Sequence, residues 1–417
     1  MSYHIGWRCS LCGAEYQPDQ VTYTCLRCGD IGILDAVYDY AALARSVSPR
    51  TLAARGEGSH WRYRPFLPLA ETAAVPPLQV GWTPLYTAPR LARAVGVRAL
   101  WVKDEGRNPT GSLKDRASAL VTAVARARGE KVVTTASTGN AAAALAGMAA
   151  AMEMPAVIFA PASAPPAKIV QLLVYGARVL LVQGNYDAAY DLCLTAAREF
   201  GWYCRNTAYN PYTVEGKKTV AFEIVEQLGG RVPDWVVTSV GDGNILTGLH
   251  RGFADLLALG WIERLPQLLG VQASGAAAVH EAWRRGDDDV SPVVARTVAD
   301  SIAADRPRDG RRALRALRAT AGASVAVSDE EILDAIPALA QGCGVFAEPA
   351  AAAGYAGLWR AVAAGIVDAD AEVVLVATGN GLKDIESARR ATRPPTTIAP
   401  ELAAVAAVAE EMKRNCG

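Results

Sequence analysis

The 417-residue sequence has no charge of either sign in excess: 42 Lys and Arg stand against 42 Asp and Glu. Without a global field, nothing gathers nucleic acid or an anionic membrane surface, and neither is expected as a partner. Long apolar runs are missing too. The most lipid-like stretch, Ala141–Ala151, falls well short of the roughly 20 residues that span a bilayer. The start, MSYHIGWRCS, has no basic-then-apolar secretory pattern, so a soluble cytoplasmic protein is expected. Internal repeats, low-complexity tracts and an obvious linker are also absent. Cysteine is scarce outside one place. Cys193, Cys204, Cys343 and Cys416 stand singly, as buried apolar groups or a free tail thiol do, and are assigned no role. A secreted disulfide framework is thereby disfavoured, and a reducing compartment is expected.

What is present begins with the other four cysteines. Cys9-Ser-Leu-Cys12 and Cys25-Leu-Arg-Cys28 make a C-x2-C-x12-C-x2-C pattern in which each pair closes a short turn and sets two thiolates at adjacent corners of a tetrahedron. Zinc is the expected occupant, with two disulfides as the alternative. Gly13 and Gly29 follow the second cysteine of each pair, as turns around a metal require. The plain role for such a ribbon is a metal staple for a unit too small to have its own core; a protein or nucleic-acid contact is the other reading.

With 51% apolar and 20% charged residues, the chain can bury a large core and form two or three cooperating units. After the ribbon, Tyr38–Pro77 reads as a mixed, aromatic-bearing connection containing SHWRYRPFLPL. Beyond it, β-branched strands alternate with amphipathic or alanine-rich helices: ALWVKDE, then Ala117–Arg128; VVTTAS, then Asn140–Met152; AVIFAP, then Ala167–Tyr175; RVLLVQ, then Ala188–Phe200. The rhythm resumes with WVVTSV and Ile245–Leu259, LLGVQA, and EVVLVATG. Strand–helix alternation predicts an α/β fold with parallel sheets covered on both faces. From Arg393 onward a proline-broken connection leads into one amphipathic helix, a packing or oligomer element.

The chemistry-bearing residues cluster just after strands, where open parallel sheets bind ligands. NPTGSLKDRAS, Asn108 to Ser118, holds Lys114 behind Pro109 and Gly111, a setting that fixes an amine in place. Ser137, Thr138, Gly139 and Asn140 open an alanine-rich helix and suit a carboxylate, though an ordinary helix cap reads the same way. Gly241, Asp242, Gly243, Asn244 and Ile245 let backbone amides converge on a phosphate, or form a plain tight turn. Leu246 stands where a nicotinamide fingerprint needs glycine. Thr378 and Asn380, in ATGNGLKD, add neutral hydrogen-bonding groups. An amine, a carboxylate cradle, a phosphate cradle and a neutral polar group are together what pyridoxal phosphate requires.

NPTGSLKDR, ASTGN, NPYTVEGKKT, VGDGN, VFAEPA and ATGNGLKD occur in this order, and by them the chain resembles the threonine synthases of the fold-type-II family of pyridoxal-phosphate enzymes, from the ribbon to about Asp384. The resemblance implies a tryptophan-synthase-β-like α/β fold. It implies a zinc ribbon over residues 1–35, a large domain from 36–116 and 209–392, a small mobile domain over 117–208, and a tail over 393–417. It implies Lys114 as Schiff-base lysine and proton shuttle, and Asn140 against the cofactor's phenolic oxygen. It also implies Ser137, Thr138, Gly139 and Asn140 around the substrate carboxylate, the Gly241–Ile245 turn around the cofactor phosphate, and Thr378 facing the ring nitrogen. The implied reaction converts O-phospho-L-homoserine and water to L-threonine and phosphate, by a homodimer. Threonine synthases often carry an arginine where this chain has Thr213, and their phosphate loop is one residue longer. Lys217, Lys218, Arg116 and Lys168 are the cations available to compensate. The alternative is a relative that eliminates or replaces at the β-carbon of serine, threonine or O-phosphoserine. Glu348, in VFAEPA, is read either as a group beside the cofactor or as a structural contact.

Overall fold

The alternation resolves into three sheets. A computed structural model describes residues 3–164 and 166–416. At the front, β1 (His4–Cys9), β2 (Glu15–Tyr16) and β3 (Leu34–Tyr38) form an antiparallel sheet in the order β2-β1-β3. Three such short strands cannot support a core of their own, and this one borrows from its neighbours. Trp7 meets Tyr212 edge-to-face with ring centroids 5.1 Å apart. Tyr38 donates to Glu215 Oε2 at 2.7 Å, and Arg251 donates to the Ala36 carbonyl at 2.5 Å. The ribbon is therefore seated on two helices of the main body, Tyr212–Gln227 and Asn244–Ala258.

Ten strands follow: β4 (Leu85–Thr87), β5 (Ala99–Asp104), β6 (Val133–Ala136), β7 (Ala156–Pro161), β8 (Arg178–Val182), β9 (Tyr203–Cys204), β10 (Trp235–Ser239), β11 (Gln267–Ala273), β12 (Ala323–Val327) and β13 (Glu372–Ala377). They split into a six-stranded sheet, β12-β11-β10-β13-β5-β4, and a four-stranded sheet, β8-β7-β6-β9. All pairings are parallel except β4 with β5, an antiparallel edge. Strands β6, β7, β10 and β13 are buried along their whole length, as strands covered by helices on both faces must be. In the larger sheet β10 runs on to β11 on one side while β13 lies on the other. That reversal leaves a crevice at the carboxyl ends of β10 and β13.

The seven strands read from the sequence are all present; β4, β9 and β12 are additions to the two larger sheets, and β1 to β3 are additions within the ribbon. β9 has two residues and β12, Ala-Ser-Val-Ala-Val, is short and small-chained, so neither carries a strong periodic signal. The helix expected from Ala117 begins three residues earlier and runs Lys114–Ala127, which makes Lys114 its first residue. Tyr38–Pro77 is more ordered than a connection. Asp39 caps a helix at Tyr40–Ser46, Ser48 and Thr51 form a capping box on a helix at Pro49–Ala53, and His60–Phe66 makes tight 3-10 turns. Within it Tyr63 and Phe66 pack on Phe222, with centroids 5.2 and 5.0 Å away. This burial is tertiary, so no local period announces it.

Candidate active site

Lys114 enters the crevice from the end of β5. Its loop is pinned from within: Asp115 accepts from the Thr110 amide at 2.7 Å and from the Thr110 hydroxyl at 2.5 Å, and Gly111 turns with φ +86°. It is also sewn to the loop after β13. Leu113 donates its amide to the Thr378 carbonyl at 2.9 Å, and Asn380 donates to the Gly111 carbonyl at 2.9 Å. Behind it, Arg116 is fully buried between Glu105 and Glu223, with contacts of 2.6 and 2.5 Å, and Lys103 reaches Glu223 at 2.7 Å. Two cations and two carboxylates, each satisfied, brace the first turn of the lysine helix.

The Lys114 side chain keeps contact with the cleft while protein surrounds it. Burial lowers its pKa, Glu348 opposes that shift, and Arg205 adds to it. Nζ has no hydrogen-bond partner among the described residues. A lysine biased toward its neutral amine can accept a proton as well as release one.

Around it the other loops converge. Lys114, Asn140, Thr207, Lys217, Ser239, the Gly241–Ile245 turn, Ser301, Glu348 and Thr378 line one cavity. Asn140, the first residue of the Asn140–Ala151 helix, donates to Glu348 Oε1 at 2.7 Å and to Ser301 Oγ at 3.3 Å. Burial raises the Glu348 pKa, although Lys383 and Lys114 pull the other way. Ser137, Thr138 and Gly139 line an adjoining cleft of about 390 Å³, wide enough for an amino acid.

The turn after β10 is tightly made. Gly243 has φ +93°, and a Cβ there would lie 2.9 Å from both the Asp309 carbonyl oxygen and the Ala313 Cβ. A Cβ on Gly241 would lie 2.9 Å from the Ile302 Cα. The amides of Gly241, Gly243, Asn244 and Ile245 find no acceptor among the described residues, as the first amides of a helix do not. Asp242 turns its carboxylate to the Arg308 amide at 3.3 Å, and burial raises its pKa.

Asn244 is held on both sides. Lys217 donates to its Oδ1, and its Nδ2 donates to Asp309 Oδ2 at 2.8 Å. Asp309 is gripped by Arg312 through Nε at 2.5 Å and Nη2 at 2.9 Å, and Arg312 reaches Asp35 of the ribbon at 2.8 Å. A continuous chain of polar contacts thus runs from β3 to the turn.

The Pyridoxal-phosphate dependent enzyme family matches residues 77–379 of this chain. The chain belongs to that family. It is 38% identical over 407 residues to the threonine synthase of Methanocaldococcus jannaschii, covering 97% of this chain and 99% of that protein. It is 38% identical to the threonine synthase of Methanosarcina acetivorans, covering 97% and 98%, and 40% identical to that of Synechocystis, covering 83% and 88%. Among solved structures, maize serine racemase superposes with a TM-score of 0.63 at 21% identity, covering 80% of this chain and 94% of that one. The processed threonine deaminase isoform 2 of Solanum lycopersicum gives 0.62 at 24%, covering 71% and 78%. The fold is that of the fold-type-II enzymes.

The residues present fit pyridoxal phosphate. The cavity offers a lysine with lowered pKa, turn amides behind two glycines whose Cβ positions are already filled, and a buried Ser239 hydroxyl, the amides and the hydroxyl having no partner among the described residues. Thr378 completes the set with a neutral hydroxyl. A second site lies in the ribbon. The Sγ atoms of Cys9, Cys12, Cys25 and Cys28 all fall within 4.8 Å of one another. Cys12 and Cys25 are 3.7 Å apart and Cys9 and Cys28 are 4.0 Å apart, close to the edge of about 3.8 Å that four sulfurs around zinc at ~2.3 Å would have. None of the four is in a disulfide; Cys193, Cys204 and Cys343 are free as well, and the Cys416 side chain lies outside the described residues.

Sequence reasoning missed Thr207, Ser239 and Ser301. Ser301 sits in a stretch without strand or long helix, where no periodicity marks it. Thr207 and Ser239 flank motifs that were recognised and carried the weaker signal of a lone hydroxyl.

Proposed function

We propose that the protein is a threonine synthase, converting O-phospho-L-homoserine and water into L-threonine and inorganic phosphate. One observation carries this: Lys114 faces the same cavity as the Gly241–Ile245 turn and Asn140, in a chain similar along 97% of its length to threonine synthases. Bound pyridoxal phosphate supplies an electron sink for the carbanions formed beside an amino group.

The chain's own groups do the rest. Amides of Gly241, Gly243, Asn244 and Ile245 would hold the cofactor phosphate, Asn140 would steady its phenolic oxygen, and Thr378 would face the ring nitrogen without fixing a proton there. The Ser137–Asn140 helix start receives the substrate carboxylate. Lys114 Nζ moves protons one at a time: it takes one from the α-carbon and, after passing that one on, one from the β-carbon as the phosphate leaves with the electron pair of the broken carbon–oxygen bond. It then delivers a proton to the γ-carbon; when water adds, the hydroxyl joins the β-carbon, the released proton goes to the phosphate, and Nζ returns a proton to the α-carbon.

Four thiolates holding one structural zinc, a small domain over 117–208 that closes on the substrate, a homodimer and a cytoplasmic setting complete the proposal. They are supported respectively by the sulfur geometry, the separate four-stranded sheet, the family resemblance and the free cysteines. Thr213, in place of an arginine, favours a second reading: β-elimination or β-replacement on serine, threonine or O-phosphoserine.

Borohydride reduction of the holoenzyme followed by peptide mapping is expected to leave the adduct on Lys114. An adduct elsewhere removes the centre of the mechanism. Release of phosphate with equimolar threonine from O-phosphohomoserine supports the first reading; ketoacid from threonine, with no turnover of O-phosphohomoserine, supports the second.

A further inference from the structure

Thr213 takes no part in the cleft. It is fully buried and its hydroxyl donates to the Asn210 carbonyl at 2.8 Å. Three of the four cations that could stand in for an arginine are already committed. Arg116 is saturated by Glu105 and Glu223. Lys218 lies between Glu215 at 2.6 Å and Asp255 at 2.7 Å. Lys168 pairs with Asp300 at 2.5 Å near the mouth of the cleft.

Lys217 differs. It is 1% exposed and lines the cavity with Lys114 and the phosphate turn, yet among the described residues no carboxylate lies within ion-pair distance. Its one partner is the neutral Asn244 Oδ1. An ammonium has three donors, so two remain to point into the cavity. Thr207 lines both this cavity and the adjoining cleft, and its Oγ1 accepts from Arg205 at 2.8 Å, which frees its own proton for another acceptor. Arg205 is fully buried without a carboxylate, and its Nη2 has no partner among the described residues.

We propose that Lys217, Thr207 and the Asn244 side chain form a subsite for the departing phosphate of the substrate, separate from the backbone amides that hold the cofactor phosphate. The proposal rests on the reading of the substrate as O-phosphohomoserine and names how that phosphate is recognised. As the bond from the γ-carbon to oxygen breaks, its electron pair goes to the phosphate and the β-proton to Lys114. Lys217 meets the growing charge with hydrogen bonds and keeps its own proton, so its contribution is largest where charge develops. Burial, with Arg205 and Lys114 close by, depresses the Lys217 pKa, and a dianion reverses that disadvantage. Arg205, behind Thr207, adds positive potential without contact.

The test uses holoenzyme and inorganic phosphate as the probe, followed by calorimetry and by the cofactor absorbance. Lys217→Gln is expected to weaken phosphate binding roughly ten- to a hundredfold, the worth of a hydrogen bond to a charged group. Because Gln can still donate to Asn244 Oδ1, cofactor affinity should fall by less than phosphate affinity does, and Lys217→Arg should recover most of the loss. Unchanged phosphate affinity in Lys217→Gln overturns the proposal. So does a loss confined to cofactor affinity, which would assign Lys217 to the cofactor cradle. If wild-type holoenzyme fails to convert O-phosphohomoserine while phosphate binding still depends on Lys217, the assigned reaction falls and the subsite stands, serving another phosphorylated amino acid.

Discussion

The chain of contacts from Asp35 through Arg312 and Asp309 to Asn244 can be cut at two places with unequal consequences. Arg312→Met leaves the Asp309 carboxylate, which is fully buried, with the Asn244 amide as its hydrogen-bond partner among the described residues. Removing one member of a buried ion pair costs about 3–5 kcal/mol, because the remaining charge stays out of water. Asp35→Asn costs less. Its side chain is 25% exposed, and Arg312 keeps both contacts to Asp309, so screening holds the loss to about 1 kcal/mol. Part of either loss must reach the phosphate turn, since the Asp309 amide donates to the Asp242 carbonyl at 2.8 Å and Gly243 packs against the Asp309 backbone.

Reconstitution of cofactor-free protein, read by cofactor absorbance, and urea unfolding measure the two destinations separately. Arg312→Met is expected to bind cofactor about tenfold or more weakly, Asp35→Asn only about two- to fivefold. Adding Asp309→Asn to Arg312→Met removes the stranded charge and preserves an acceptor for Asn244, so it should recover most of the lost stability. Normal cofactor affinity in Arg312→Met would show that the network braces the fold without governing the turn. A double variant no better than Arg312→Met would refute the stranded-charge argument itself.

Three other outcomes are expected. His60 is fully buried, neither ring nitrogen has a partner among the described residues, and burial followed by nearby Arg116 pushes its pKa down to about 3. The unfolded chain takes up that proton below about pH 6.5 and the folded one does not, so stability falls as pH drops from 6.5 toward 3, by about 2 kcal/mol at pH 5. His60→Phe should lose this increment in urea midpoints compared at pH 7 and pH 5; an unaltered pH dependence contradicts the assignment. Elemental analysis should find one zinc per chain, absent from Cys25→Ser with a lowered melting temperature, and a metal-free wild type of equal stability would end the zinc proposal. Gly243→Ala forces a side chain into φ +93° against the Asp309 carbonyl, at about 1–2 kcal/mol for the backbone alone, and should weaken cofactor binding about tenfold; wild-type affinity would mean the turn does not hold the phosphate.

The parallel sheets were legible because strands covered on both faces read as mostly apolar, β-branched runs, such as Trp-Val-Val in β10 and Val-Val-Leu-Val-Ala in β13. The loops were legible because glycine and hydroxyl residues follow those runs directly. Partnership was not. Lys217 and Lys218 are adjacent and chemically identical, but a helix turns about 100° between them. One reaches Asn244 in the cavity and the other is consumed by Glu215 and Asp255. Only Glu215 is local, so no pattern in the sequence ranks the two lysines. Arg116 shows the same limit: the carboxylates that neutralise it come from positions 105 and 223. His60–Phe66 reads as irregular because its burial is supplied by Phe222 and Trp261, far along the chain.

The stitching around the cavity also says what can move. The lysine loop and the loop after β13 are joined by main-chain hydrogen bonds, Leu113 to Thr378 and Asn380 to Gly111, and by a bridge between Ser112 and Gly379. The groups proposed to move protons and to face the ring nitrogen therefore share one rigid frame. The Ser137–Asn140 cradle belongs to the other sheet and meets this frame around the cavity through side chains, Asn140 with Glu348 and Ser301. Side-chain hydrogen bonds at a cleft are exchanged for water at little net cost, whereas breaking a paired backbone seam is not. At the cavity, then, the Asn140 contacts are exchanged more cheaply than the backbone seam is opened. In the proposed reaction, a substrate carboxylate at the Ser137–Asn140 helix start would replace these side-chain contacts while Lys114 and Thr378 stay in register on their shared backbone seam, so that substrate itself fills the space that water would otherwise occupy during elimination.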